Sequence, residues 1–162
     1  RFYHTAVHLE ELCYLLNLLT TNADSDGALF LSKEDQQVLL LSIFFHDAIY
    51  NAKSSTNEQD SAELFLDFFT SIAISHEVNS LLKKRVEQFI LATQQHRVSP
   101  ENAESLALFL DLDMAVLGKQ PSAYLAYAAL VRKEYAFVPR DIYCEKRVVV
   151  LKQFLKGPIY GI

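Results

Sequence analysis

A chain of 162 residues carries enough material for a single core, so one domain is expected across 1–162. Half of the residues are apolar, and glycine and proline number only four each, which argues against a turn-rich all-β fold. The net charge of −5 and the scattered basic residues, clustered only at Lys83-Lys84-Arg85, exclude the basic stripe that a nucleic-acid polymer requires.

Cys13 and Cys144 are far apart with no CxxC spacing. A disulfide framework or thiolate zinc site is therefore not expected, and a reducing, cytoplasmic setting is. No apolar run approaches a membrane span, and the opening RFYHTAVH does not read as a signal peptide. The chain starts without methionine and stops after IYGI, so short segments are expected to be missing at both ends.

In chain order, a first helix is predicted over 4–20, ending before TNADSDG. Ser32 with Asp35 has the form of a capping box and opens a second helix that runs to about 48. Its apolar surface continues all round, which predicts the buried central helix. AKSSTN is a polar loop, and Thr56 with Gln59 opens a third helix carrying LFLDFF. A fourth is predicted over 77–96. Ser99-Pro100 starts a fifth, which stops near Gly118. Pro121 begins a sixth that ends before Pro139, and a seventh covers 141–155. The fold class is all-α, a bundle of about seven helices.

Several polar residues occupy positions that read as buried. His4 and His8 are one helical turn apart, in a row that continues into Leu12, Leu15 and Leu19, so both are predicted to face inward. They read equally as core histidines bonded to backbone or as ligands. His46-Asp47 ends the most apolar helix, where a histidine suits the last carbonyls but an aspartate opposes the helix dipole unless a cation compensates it. Asp111 and Asp113 are the charged residues of LALFLDLDMAVLG. They lie about 200° apart on a helix and cannot aim at one point. Asp113 shares its face with Phe109, Leu110, Val116 and Leu117, which predicts burial. Histidines and aspartates that converge on a core form an N/O donor set suited to a divalent ion of the manganese, iron, cobalt, nickel or magnesium kind.

RFYHTAVH, FHDAIY, NEQDSAE, ATQQH, LDLDMAVLG and VRKEYAFVP occur in that order from Arg1 to about Tyr160. The series resembles the HD superfamily of metal-dependent phosphohydrolases, with its H…HD…D signature on an all-α core. In detail it is similar to a bacterial-type group of small predicted HD phosphohydrolases. The resemblance implies one divalent metal held by His8, His46, Asp47 and Asp113, with Asp113 preferred to Asp111. YHxxxH is also similar to the start of the cyclic-nucleotide phosphodiesterases, which implies His4 as the proton donor to the leaving oxygen. Acidic residues after the HD pair often orient the attacking water, which implies that role for Glu58; a first-turn glutamate serving its helix dipole is the other reading.

His96 reads as a substrate or second-metal group, or as a satisfied core histidine. Lys53, Arg132 and Tyr135 are the basic and hydroxylic candidates for a phosphate, arginine through its bidentate fork. Arg132 also reads as one half of a solvated ion pair within RKE. Tyr50 is expected at the rim and His76 at the surface. The expected activity is hydrolysis of a small phosphoester, a nucleotide or related metabolite, at a mononuclear site. An HD-type binding module without turnover and a di-iron HD-type oxygenase are the alternatives. The expected partner is the small phosphorylated substrate, with no membrane, and a homodimer is compatible with the sequence.

Overall fold

Why the chain is helical follows from its local signals, and the computed structural model describes residues 1–21, 31–72, 80–96, 103–156 and 160. Seven α-helices occur among them: α1 (Ala6–Thr21), α2 (Lys33–Phe45), α3 (Asn57–Ile72), α4 (Ser80–Ala92), α5 (Ala103–Met114), α6 (Pro121–Glu134) and α7 (Arg140–Phe154). A 3₁₀ turn, Ala115–Gly118, follows α5. The described residues contain no strand, so the all-α class holds. The readings placed on TNADSDG, on the start of the fourth helix, on His76 and on Ser99-Pro100 lie outside the described residues.

Ser32 caps α2 as expected: its Oγ accepts the Asp35 N–H at 3.0 Å and donates to Asp35 Oδ2 at 2.5 Å. Thr56 does open α3, but its hydroxyl bonds Asp60 Oδ2 at 2.9 Å, not Gln59. Gln59 reaches across to Gln94 Oε1 instead. Pro121 opens α6 at the first helical turn, where its missing N–H costs nothing.

One cluster unites Leu12 and Leu16 of α1, Val38, Leu39 and Ile43 of α2, Phe65 and Phe69 of α3, Val86, Phe89 and Ile90 of α4, and much of α5. The α2 helix touches α1, α3, α4 and α5, so it is central. It is not buried all round, however: Leu40 and Phe44 remain 41% and 55% exposed on the far side. The all-round burial predicted for α2 belongs to α5, where Ser105–Leu110 are buried without interruption. That difference matters for function, because α5 carries Asp113 on from the driest part of the core.

The α7 helix is the opposite case. None of its residues is buried, and Val148 and Val149 are 48% and 61% exposed. It meets the rest of the molecule through side chains: Arg147 to Tyr127, Tyr143 to Tyr135 and Phe154 to His96. No helix is long and apolar enough to cross a membrane among the described residues.

Candidate functional site

His8, on the buried face of α1 with Leu12 and Leu16, points at the same place as His46 and Asp113. One ligand atom from each of the three lies within 4.8 Å of the others. His8 Nε2 is 3.2 Å from Asp113 Oδ1 and His46 Nε2 is 3.6 Å from the same oxygen. The cluster thus draws on α1, the C-terminal end of α2 and the last turn of α5. Asp111, two residues from Asp113, stands outside it, as the helical rotation requires.

His46 is 1% exposed, and its Nδ1 donates to the Ile43 carbonyl at 2.9 Å. That bond commits Nδ1–H to the backbone and leaves Nε2 facing the cluster. Nε2 lies 3.3 Å from Asp47 Oδ2, yet it is buried with no hydrogen-bond partner among the described residues. The Phe109 ring packs edge-on against the imidazole at 5.8 Å and keeps it oriented. His8 Nδ1 is likewise buried without a partner.

Asp47 is not part of the three-residue group, but it is one contact away, 3.3 Å from His46 Nε2 and 3.8 Å from His4 Nε2. Its unfavourable place at a helix C-terminus is partly offset by Arg1, whose guanidinium donates to the carbonyls of Asp47 and Ala48 at 3.0 and 2.7 Å. The arginine of RFYH therefore closes the end of α2 that presents the HD pair.

His4 precedes α1 and so is not on the helix that was predicted to carry it. What holds it is Glu134, the last residue of α6. Glu134 Oε1 accepts the backbone N–H groups of Phe2, Tyr3 and His4, at 2.7, 2.9 and 3.3 Å. Oε2 is 2.6 Å from His4 Nδ1. The His4 ring stacks on Tyr50 at 3.9 Å, and its Nε2 faces Asp47. Nothing in the sequence reading singled out Glu134. The signal was available: Tyr127, Val131 and Glu134 recur at helical spacing, which places the carboxylate on the inner face of α6.

His96 ends the turn after α4 with a φ of 49°, a left-handed conformation that histidine adopts more readily than most side chains, at a cost of roughly 1–2 kcal/mol. Its Nε2 sits 3.2 Å from Asp113 Oδ2. Asp113 therefore offers one oxygen to His8 and His46 and the other to His96.

The charges follow from this arrangement. Burial disfavours the Asp113 carboxylate, but His46, His8 and His96 around it hold its pKa well below the usual carboxylate range. Burial equally disfavours a charged His46, and the carboxylates of Asp113 and Asp47 outweigh it and push the pKa well above the imidazole range. Burial would raise the Glu134 pKa, but the N–H groups of Phe2 and Tyr3, with His4, bring it down to about 2.

A cavity of about 580 Å³ opens onto the cluster. His4, Asp47, Glu58, His96, Lys53 and Tyr135 all line it, as do His46 and Asp113. Arg132 does not. Its Nη1 donates to the Tyr135 carbonyl and its Nη2 to the Val138 carbonyl at 2.9 Å, so the fork expected to hold a phosphate is spent on the loop after α6. Nor does Arg132 pair within RKE, because Glu134 is turned toward His4. Lys146 and Arg147 of α7 also line the cavity, and the sequence reading passed over both.

No protein-family model matches the chain, and neither does any curated protein or solved structure.

Proposed function

We propose that this chain is a metal-dependent phosphohydrolase of the HD type, acting on a small phosphoester such as a nucleotide or related metabolite. The observation that carries the reading is His46 Nε2: a buried nitrogen without a hydrogen-bond partner among the described residues, turned by the bond from Nδ1 to Ile43 toward the carboxylates of Asp47 and Asp113. Two carboxylates held this close in a largely buried site call for positive charge between them, which a single proton on His46 supplies only in part. A proton on Nε2 serves one oxygen at a time. A divalent ion would be held by His8, His46 and Asp113 together, with Asp47 beside them, and mixed N/O sets of this kind suit manganese, iron, cobalt, nickel or magnesium.

When bound, such an ion supplies a Lewis acid for a phosphoryl oxygen and a more acidic water. The protein's own residues do the rest. Glu58, in the first turn of α3 and on the cavity wall, takes the proton of the attacking water as its oxygen bonds phosphorus. His4 acts as the imidazolium: Nδ1–H stays directed to Glu134, and Nε2–H, presented to the cavity, gives its proton to the leaving oxygen as that P–O bond breaks, leaving neutral imidazole. Glu134 positions His4 without touching substrate.

Metal content per chain, measured by elemental mass spectrometry beside His46→Ala and Asp47→Ala, tests the reading. About one manganese, iron, cobalt or nickel is expected in the wild type and none in His46→Ala. Loaded protein is then screened for phosphoester turnover, where Glu58→Ala should retain metal and lose most activity. No metal after incubation with each ion sinks the proposal in favour of a binding module. The contact from His96 to Asp113 Oδ2 favours one second reading, a two-metal oxygenase, and about two redox-active irons per chain would select it.

A further inference from the structure

Opposite in charge to the histidine cluster is the wall that α7 gives to the same cavity. Tyr143, Lys146, Arg147 and Val150 recur at the spacing of one helical face, and all four line it. Lys53, on the loop before α3, adds a further ammonium. Among the described residues none of these three cations is ion-paired, whereas Arg85 is paired with Glu34 and Asp35, and Lys119 with Glu11. Lys53 instead lies over the Phe137 ring at 5.1 Å. Arg147 is half-buried, and its hydrogen bond is from Nη2 to the Tyr127 hydroxyl at 2.8 Å. Its guanidinium also lies over the Tyr127 ring at 5.7 Å, and among the described residues it has no acidic partner. A guanidinium drawn out of water in this way is costly until an anion meets it.

The wall is tied to the histidine cluster by rings. Tyr127 packs edge-on against Tyr3 at 4.6 Å, and Tyr3 lies 4.8 Å from the His8 ring. On the same cavity wall, Phe137 stacks on Tyr135 at 6.0 Å and Tyr143 tilts against Tyr135 at 5.9 Å, with the Arg132 guanidinium over the Tyr143 ring at 4.9 Å. Since α7 has no buried residue of its own, the cavity-facing row is what it has to offer the rest of the fold.

We propose that Arg147 and Lys146 form an oxyanion subsite that takes the phosphoryl group from the α7 side, while Tyr135, Phe137 and Tyr143 take a flat, apolar body, so that the ligand is an aryl or similarly unsaturated phosphomonoester. Only the identity of the anion as the scissile phosphoryl group rests on the metal-dependent reading above; the binding of an oxyanion does not. Arginine's planar fork suits a tetrahedral oxyanion, and stacked rings favour a flat partner.

The test is calorimetric titration of the full, manganese-treated chain with inorganic phosphate and with phenyl phosphate, metal content being measured on the same samples. Wild type should bind both, phenyl phosphate more tightly. Arg147→Gln should weaken phosphate about tenfold to a hundredfold. Lys146→Gln, at an exposed position where folding is not at stake, should weaken it about threefold, in keeping with a more solvated charge. Unchanged phosphate affinity in both variants, or no binding by the wild type, overturns the subsite, and equal affinity for the two ligands overturns the aromatic part. Protein that binds phosphate through Arg147 but carries no metal keeps this subsite and removes the phosphohydrolase reading. Protein that carries metal but binds phosphate equally well without Arg147 and Lys146 does the reverse.

Discussion

The two walls of the cavity were built by different means. On one side, α1, α2 and α5 deliver His8, His46 and Asp113 from the interior of the core, with His46 1% exposed and Phe109 against its ring. On the other, α7 delivers Lys146, Arg147 and Tyr143 from a helix with no buried residue. The first wall is the more constrained, because His8 and His46 are buried among close-packed neighbours and Asp113 is held between histidines. The second is held by a few polar and aromatic contacts and has room to adjust to what it meets. Each wall carries charge that its own side does not neutralise, negative on the first and positive on the second. On the proposed reading, the first wall would set the geometry for an ion and the second would recognise the rest of the ligand.

The sharpest way to break that division is at the constrained wall. Asp113→Ala removes the oxygen shared by His8 and His46, and bound metal should be lost altogether, read as ions per chain by mass spectrometry. Next in size is Glu134→Gln. Metal content should be retained while turnover falls about a hundredfold, the scale of a displaced general acid, because His4 loses the carboxylate that fixes it. The same variant has a signature in stability. The folded Glu134 carboxyl titrates at about 2 and its ordinary value is 4.5. Its contribution is therefore complete above about 4.5 and disappears as the pH falls toward 2. Urea midpoints measured at pH 6 and pH 3 should differ less in Glu134→Gln than in the wild type.

Smaller effects sharpen the comparison from the α7 side. Arg132→Ala frees the carbonyls of Tyr135 and Val138 and should cost about 1–3 kcal/mol in chemical denaturation, with metal content unchanged. A role for Arg132 in the metal cluster would show as lost metal. Val149→Asp, on the exposed back of α7, should change stability by no more than about 0.5 kcal/mol. A loss several times larger would mean that this face is covered in solution.

Helix positions were legible because capping and breaking residues mark them locally: Ser32, Thr56, Pro121 and Pro139 all sit at element ends. The ligand candidates were legible because a carboxylate in an apolar run is conspicuous; rotation showed that Asp111 and Asp113 point apart, and the family resemblance was needed to prefer Asp113. Which helix is driest was not. The apolar pattern of α2 continues onto a face that the fold leaves uncovered, and periodicity does not report how many neighbours a helix will have. The groups that hold or complement the site were hidden for a different reason. Glu134 and Arg147 look like ordinary surface charges in sequence, and only the approach of distant segments gives them their roles. Arg132 shows the converse, a residue of the right chemistry that the adjacent loop had already claimed.

The bonds between Glu134 and residues 2 to 4 join positions about 130 apart in the chain. On the ribosome, every metal-ligating candidate has been synthesised once Asp113 is made, whereas Glu134 follows on the order of one to four seconds later. A nascent chain paused in that interval owns the complete donor set but lacks the clasp that orients His4. His4 is among the first residues made, and it is its orientation that waits for Glu134. The order of synthesis thus separates the making of His4 from its placement.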